Sequence, residues 1–346
     1  MRVSIQIGEL RRAHDTIAKL KSNHLHLVAL GEHLYVRSQA YNSHSSTFVE
    51  VICDCSVESE GTVNVDFSLF RGVVHQCTEV VTLETKDAKL HVSSGSLRFT
   101  LKTVYLEFSP EFQGVKGGRT ATFSAAQIHD AASVSCFMDL SSTKDACRML
   151  HLTESSIGGS DGCNLGALKN GAVECVAVPG QIWPVLTYLK HDAVCTWTEE
   201  YFVAVVPEFG VSMSTRMVLM QPTNISEMIE RVRRAGIYLG TVRPQELLQR
   251  IREASVVGPT VSVDYSCGKL RFVGKLPAEM EYYGELPIVG GKECDCDPKN
   301  YPCQKLTKAV EAFKGDDVEI TFGPFLLLES GPEGGLGLSM IVGGLK

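Results

Sequence analysis

One pattern returns along this chain: a short strand followed at once by an amphipathic helix. In its first copy Val3-Ser4-Ile5-Gln6-Ile7 alternates apolar and polar residues, and Gly8 breaks the alternation. Leu10, Ala13, Ile17 and Leu20 follow at helical spacing. At about 100° per residue these four share one face, with Arg12 and Lys19 opposite. The signal returns in Thr62–Asp66 before Phe67–Gln76, Thr120–Phe123 before Ser124–Val134, and Cys175–Val178 before Gly180–His191. Ile237–Thr241 precedes Arg243–Ser255, and a looser sixth copy reads Glu285–Val289 before a helix from Cys303 to Lys314. Helix starts at 8, 67, 124, 180, 243 and 303 set a period of about 60 residues, so 346 residues hold six copies and little else.

Each helix is followed by several short strands. After the first come His24–Ala29, His33–Arg37 and Thr47–Cys53; after the second come Val80–Thr85, Lys89–Ser93 and Leu97–Thr103. Helices laid on antiparallel sheets make an α+β fold. The Pro- and Gly-bearing stretch Ser109–Gly118 reads as a linker, and Arg216–Pro222 closes a second block. Ile225–Arg234 reads as a short connecting helix, and Phe325–Glu329 and Leu336–Val342 as closing strands. The six units therefore pair into three domains, 1–114, 115–223 and 224–346.

The apolar fraction of 44% and charged fraction of 21% are those of an ordinary soluble protein. A net charge of −7 argues against indiscriminate adhesion to nucleic acid but leaves room for a local basic surface. No run reaches the length of a membrane span and no secretory leader is evident, so a cytoplasmic location is expected. Twelve scattered cysteines then read as reduced thiols. Cys294, Cys296 and Cys303 match no common zinc pattern, and neither a metal nor a cofactor is expected. Catalytic signals are poor: there is no Gly-rich phosphate loop with Lys, no Gly-x-Ser-x-Gly and no His-Glu-x-x-His. His14-Asp15 and His191-Asp192 read as solvated helix ends, and Gly334–Gly337 as a turn. The chain is not expected to be an enzyme.

Three domains of two strand–helix–sheet units each resemble the bacterial DNA sliding clamp, the beta subunit of the replicative polymerase. Locally, Gly159-Ser160-Asp161-Gly162-Cys163-Asn164-Leu165 is similar to that family's Thr-Asp-Gly-His-Arg-Leu stretch, with the His-Arg pair replaced. Thr215–Pro222 is similar to its segment closing domain two, and Phe313–Ile320 to its last helix-to-strand turn. Ser339-Met340-Ile341-Val342 stands where the family ends in Met-Pro-Met, pointing to a divergent relative that a virus could encode.

The resemblance implies a homodimeric ring around duplex DNA, a processivity factor for replication. Its helices would line the hole with Arg11, Arg12, Lys19, Lys21, Arg71, Lys190, Arg250, Arg252, Lys305 and Lys308. A sliding ring reads no bases and needs only loose positive contact with phosphate. Asp130, Glu246 and Glu253 dilute the set on the third and fifth helices. The resemblance also implies a groove between domains two and three, at Leu150, Leu165, Pro222, Leu338, Met340 and Val342, for a short linear peptide of the polymerase or clamp loader. Subunits would meet head to tail, the edge near Arg98–Val104 against the region 244–275. Two other readings remain open: a structural self-assembling ring or shell without DNA, and an enzyme using the cysteine-rich loop.

Overall fold

The computed structural model describes the whole chain except residues 42–45, 106–111, 113, 136, 154–155, 170–174, 218–219, 277–279, 314–316, 331–336 and 345–346. Parts of the expected Ser109–Gly118 linker and of the Gly334–Gly337 turn thus lie outside the described residues. In chain order the first elements are β1 (Arg2–Gln6), α1 (Ile7–Ala18), β2 (His24–Leu30), β3 (His33–Tyr41), β4 (Ser46–Asp54) and β5 (Ser56–Ser59). Next come β6 (Gly61–Asp66), α2 (Phe67–Gln76), β7 (Val80–Lys86), β8 (Lys89–Ser94) and β9 (Leu97–Lys102). The middle of the chain gives β10 (Arg119–Phe123), α3 (Ala125–Ser135), α4 (Asp145–Arg148), β11 (Met149–Leu152), β12 (Ile157–Ser160), β13 (Leu165–Leu168) and β14 (Val176–Pro179). It continues through α5 (Trp183–Leu189), β15 (Ala193–Trp197), β16 (Tyr201–Val206) and β17 (Val211–Arg216). The rest is α6 (Ile225–Ala235), β18 (Ile237–Val242), α7 (Pro244–Val257), β19 (Thr260–Ser266), β20 (Lys269–Leu276) and β21 (Met280–Pro287). Last come β22 (Cys296–Pro302), α8 (Cys303–Glu311), β23 (Val318–Phe322), β24 (Phe325–Ser330) and β25 (Leu338–Gly343).

All six expected strand–helix junctions are present, at α1, α2, α3, α5, α7 and α8. The sixth differs in its strand. Glu285–Pro287 closes β21, and the strand feeding α8 is β22, a segment with two prolines and little alternation. The helices form for local reasons. Asp66 caps α2 by accepting from Leu69 N at 2.8 Å, and Asn224 caps α6 by accepting from Glu227 N at 3.2 Å. Glu227 in the first turn of α6 and Arg233 and Arg234 in its last complement the helix dipole.

The chain divides into two compact units: Met1–His129 with Gln181–Leu219, and Asp130–Gly180 with Met220–Lys346. The first holds a five-stranded sheet, β5-β1-β7-β8-β9, and an eight-stranded one, β10-β15-β16-β17-β4-β3-β2-β6. The larger is two four-stranded sets joined at one seam, where β17 pairs antiparallel with β4 from Val211↔Val51 to Thr215↔Thr47. Leu10, Ala13 and Ile17 of α1 and Phe70 and Val74 of α2 are fully buried, as their spacing requires. The second unit repeats the scheme. Its eight-stranded sheet, β14-β11-β12-β13-β25-β24-β23-β18, has a seam where β13 pairs with β25, and its smaller sheet runs β21-β20-β19-β22. Leu247, Ile251 and Ala254 of α7 and Leu306, Ala309 and Val310 of α8 form its helical core.

Candidate nucleic-acid interface and partner groove

The ten candidate lining cations fall into two kinds. Arg11 and Arg12 are half-buried and used by the fold. Arg11 Nη2 donates to Cys77 O at 2.8 Å, satisfying a carbonyl at the end of α2. Arg12 donates to Glu9 at 2.6 Å and to the carbonyls of Phe209 and Ile52 at 2.5 and 3.1 Å. Arg250 pairs with Glu253 at 2.7 Å, Arg252 with Glu311 at 2.8 Å and Lys305 with Asp161 at 2.6 Å. Lys19 Nζ lies 4.5 Å from the centre of the Tyr188 ring. Lys21, Arg71, Lys190 and Lys308 are exposed, as are Lys19 and Arg252, but these four form no ion pair among the described contacts. Lys21 and Lys190 sit just past the ends of α1 and α5 in the left-handed conformation, with φ of 56° and 57°.

Between α1 and α2 lies a buried histidine. The His14 ring stacks on Phe67 at 4.2 Å, with His75 edge-on at 6.3 Å. Burial pushes its pKa below the ordinary value, against the opposing pull of Asp15. His191 meets Glu208 at 2.7 Å rather than its neighbour Asp192, whose carboxylate accepts from Ala125 N.

At the second seam the turn Asp161–Asn164 is closely tied. The Asp161 carboxylate accepts from the backbone N–H of Cys163 and Asn164 at 2.9 and 2.7 Å, and from Lys305 at 2.6 Å. Burial alone would raise its pKa; these donors outweigh burial and hold it below the usual carboxylate range. Asn164 Oδ1 accepts from Gly343 N at 3.1 Å, fastening the last strand.

The six groove candidates are divided by this seam. Leu165 pairs with Ile341 and Gly166 with Met340, so Leu165 and Met340 point to opposite faces of the sheet. Leu165 joins Ala167, Leu327 and Ile341 under Ile225 and Ile229 of α6. Leu338, Met340 and Val342 face the other way. Leu150 shares their side, pairing with Gly159, which pairs with Gly166. Gly159 lies against Val134 and Met138, and Gly166 against Phe137 and Met340, with no room for a side chain at either. Pro222 is half-buried just ahead of α6. Ile225, Ile229 and Ile341, which are not among the six groove candidates, share this apolar cluster with Leu165. The apolar spacing of Ile225, Ile229 and Val232 was the available signal. A cavity of about 40 Å³ beside α6 is lined by Ala167, Lys169, Ile229, Arg233 and Ser339.

Cys303 does not join Cys294 and Cys296. It starts α8, with β22 between, about 20 Å along a strand of seven residues. Cys267 and Cys294 instead share an open cavity of about 610 Å³ with Lys292, Glu293 and Asp295. Burial, with Cys294, Asp295 and Asp297 nearby, pushes the Cys296 thiol up to about 11, which disfavours the thiolate a metal needs. No group of three or more metal-ligating side chains occurs among the described residues. No described helix is long and apolar enough to cross a membrane.

No protein-family model matches the chain, and neither does any curated protein sequence. Solved structures do match, end to end. The beta subunit of DNA polymerase III from Thermotoga maritima aligns with a TM-score of 0.83 at 14% identity, covering 100% of this chain and 99% of that one. The beta subunit from Pseudomonas aeruginosa gives 0.78 at 14%, covering both chains completely. The Helicobacter pylori beta clamp, solved with a DNA ligase peptide, gives 0.75 at 14%, again over both whole chains. The chain has the sliding-clamp fold, and at this identity the likeness speaks for the fold alone.

Proposed function

We propose that this protein is a DNA sliding clamp: a non-catalytic processivity factor that closes as a homodimeric ring around duplex DNA and tethers a replicative polymerase. The observation that carries the reading is coverage. The whole chain, with nothing left over, takes the clamp fold. The three-domain division 1–114, 115–223 and 224–346 belongs to the proposal. The β4–β17 and β13–β25 seams support it, since each joins strands from two of those domains edge to edge.

The lining falls to the exposed cations Lys21, Arg71, Lys190 and Lys308, with Lys19 beside them. Arg11, Arg12, Arg250, Arg252 and Lys305 contribute field rather than free contacts, because their charges already have partners. A partner peptide, from a polymerase, a loader or a ligase as in the Helicobacter pylori structure, docks on the Leu165 face beside Pro222 and α6. Leu150, Leu338, Met340 and Val342 support that surface from behind. A ring that serves replication works in the cytoplasm.

The test is primer extension by a clamp-dependent polymerase on a primed single-stranded circle. Product length should rise at least about tenfold with the protein and its loader present. Lys21→Glu with Lys308→Glu should remove most of the gain. Absence of any gain across several polymerases, with rings visible by microscopy, would favour the structural ring or shell.

A further inference from the structure

The run of chain leading into α6, Met220 to Thr223, has little to hold it. Among the described residues no backbone–backbone hydrogen bond involves it, and α6 starts only at Ile225. Its single hydrogen bond among those residues runs from Thr223 N–H to ring Nδ1 of His151 on β11, at 3.2 Å. The other ring nitrogen, Nε2, lies 2.9 Å from the carbonyl oxygen of Ala146 in α4. The His151 side chain is buried, with 2% of the residue exposed. These two neighbours decide where its proton sits. A carbonyl only accepts, so Nε2 carries the hydrogen; a backbone N–H only donates, so Nδ1 keeps its lone pair. One donor and one acceptor are what a neutral imidazole offers.

The ring stands on the α6 side of the sheet. His151 pairs with Gly158, and Gly158 with Ala167, a member of the apolar cluster under α6. Gly158 leaves the slot that Ile225 fills: a Cβ there would collide with the Ile225 side chain. The first residue of α6 thus drops into a gap in the sheet, and the residue beside that gap holds Thr223, two positions upstream. Asn224, between them, caps α6 by accepting from Glu227 N at 3.2 Å. Slot, cap and ring together set how the chain enters α6.

We propose that His151 is a proton-sensitive clasp: its neutral ring seats Thr223, and with it Pro222 and the start of α6, in the shape that takes a partner peptide, and protonation of Nδ1 undoes it. The consequence for the peptide rests on the docking surface proposed above; the clasp itself does not. An imidazolium carries hydrogen on both nitrogens, so Nδ1–H would face Thr223 N–H, donor against donor, and the run would lose its tie. The surroundings keep the ring neutral near neutral pH. Strands β12 and β14, on either side of β11, carry no titratable side chain. On α4, Asp145 and Arg148 pair with each other. On α6, Glu227 pairs with Arg231 and Glu230 with Arg233, and Arg234 lies in the last turn, away from the entry. None of these charges shifts the ring. Burial lowers its pKa from the ordinary 6.5, against a weaker pull from the Ala146 carbonyl. The clasp therefore opens only as pH falls below that value.

Amide exchange on the unmodified protein reads the clasp without any partner. Protection at Thr223, corrected for the chemical exchange rate, should fall at least about fivefold between about pH 7.5 and about pH 5.5, while the amides of β25 keep theirs. His151→Gln retains a donor and an acceptor but takes no proton, so its Thr223 protection should be the same at both pH values. The probe for docking is the DNA ligase peptide bound by the Helicobacter pylori clamp. Its dissociation constant should rise at least about fivefold over the same range for wild type and less than about twofold for His151→Gln, the two agreeing within about threefold at the higher pH. Thr223 protection that is flat with pH, or that falls equally in both proteins, overturns the clasp. A clasp that opens as expected while both proteins bind the peptide with one pH profile overturns its part in docking. A peptide that binds at no pH, with Thr223 behaving as expected, overturns the docking surface and leaves the clasp standing.

Discussion

Arg12 shows how a charge on a helix surface is committed. It lies opposite the apolar stripe of α1, where solvent exposure is the usual outcome. Its guanidinium instead reaches two backbone carbonyls and Glu9, and lies 5.9 Å over the Phe209 ring. Removing it takes the donor from two half-buried carbonyl acceptors. Arg12→Ala should therefore cost about 1–3 kcal/mol in a denaturant melt, while DNA retention falls less than in Lys308→Glu. The buried histidines give a second prediction at this scale. His14, His26 and His151 all have pKa values lowered chiefly by burial. Their neutral forms belong to the folded state, and the unfolded chain binds more protons below the ordinary histidine pKa of about 6.5. The stability they contribute is complete above that value and is lost as pH falls through their depressed folded-state values. The melting midpoint should drop steadily from pH 7 to pH 5, and His151→Gln should shrink the drop. A flat profile would show that the three rings protonate without strain.

At the scale of elements, periodicity carried far in one direction and failed in another. The helices were legible because one apolar stripe under a polar face fixes both type and orientation, as Leu10, Ala13 and Ile17 do in α1. β25 was not legible in this sense, because Leu338 to Val342 are buried on both faces and a strand buried twice has no alternation to read. Nothing in the sequence says whether Met340 or Ile341 shares a face with Leu165; only the pairing Leu165↔Ile341 does. β22 was missed for a related reason: two prolines and mostly polar neighbours make it look like loop, and its partner β19 alone makes it a strand. The proposal that the peptide docks on the α6 face has a measurable consequence. Ile341→Ala removes apolar volume from the cluster under α6 and should cost about 2–4 kcal/mol. Ile229→Ala should behave alike and weaken peptide binding with it, since both residues build the surface beside Pro222. Met340→Ala, on the opposite face, should cost comparable stability and leave peptide affinity in the surviving folded fraction within about twofold. Equal affinity losses from both faces would mean that the peptide site is not on the α6 side.

For the whole molecule the question is what kind of binding a chain of net charge −7 can have with a polyanion. Of ten candidate cations, five are neutralised by partners within the chain or spent on carbonyls, so the free contacts to phosphate are few. A protein held to DNA by a handful of phosphate contacts dissociates steeply as salt rises, with a slope of about −0.9 per contact in a double-logarithmic plot. A closed ring behaves differently, because leaving the duplex requires an end or an opened interface and neither depends on those contacts. Once loaded on a nicked circular plasmid, the protein should stay through a gel-filtration step at about 0.1 M and at about 0.5 M salt alike. Cutting the plasmid once should release it within minutes at both. Release that tracks salt and ignores the cut would identify a surface electrostatic binder, a role that a net charge of −7 disfavours.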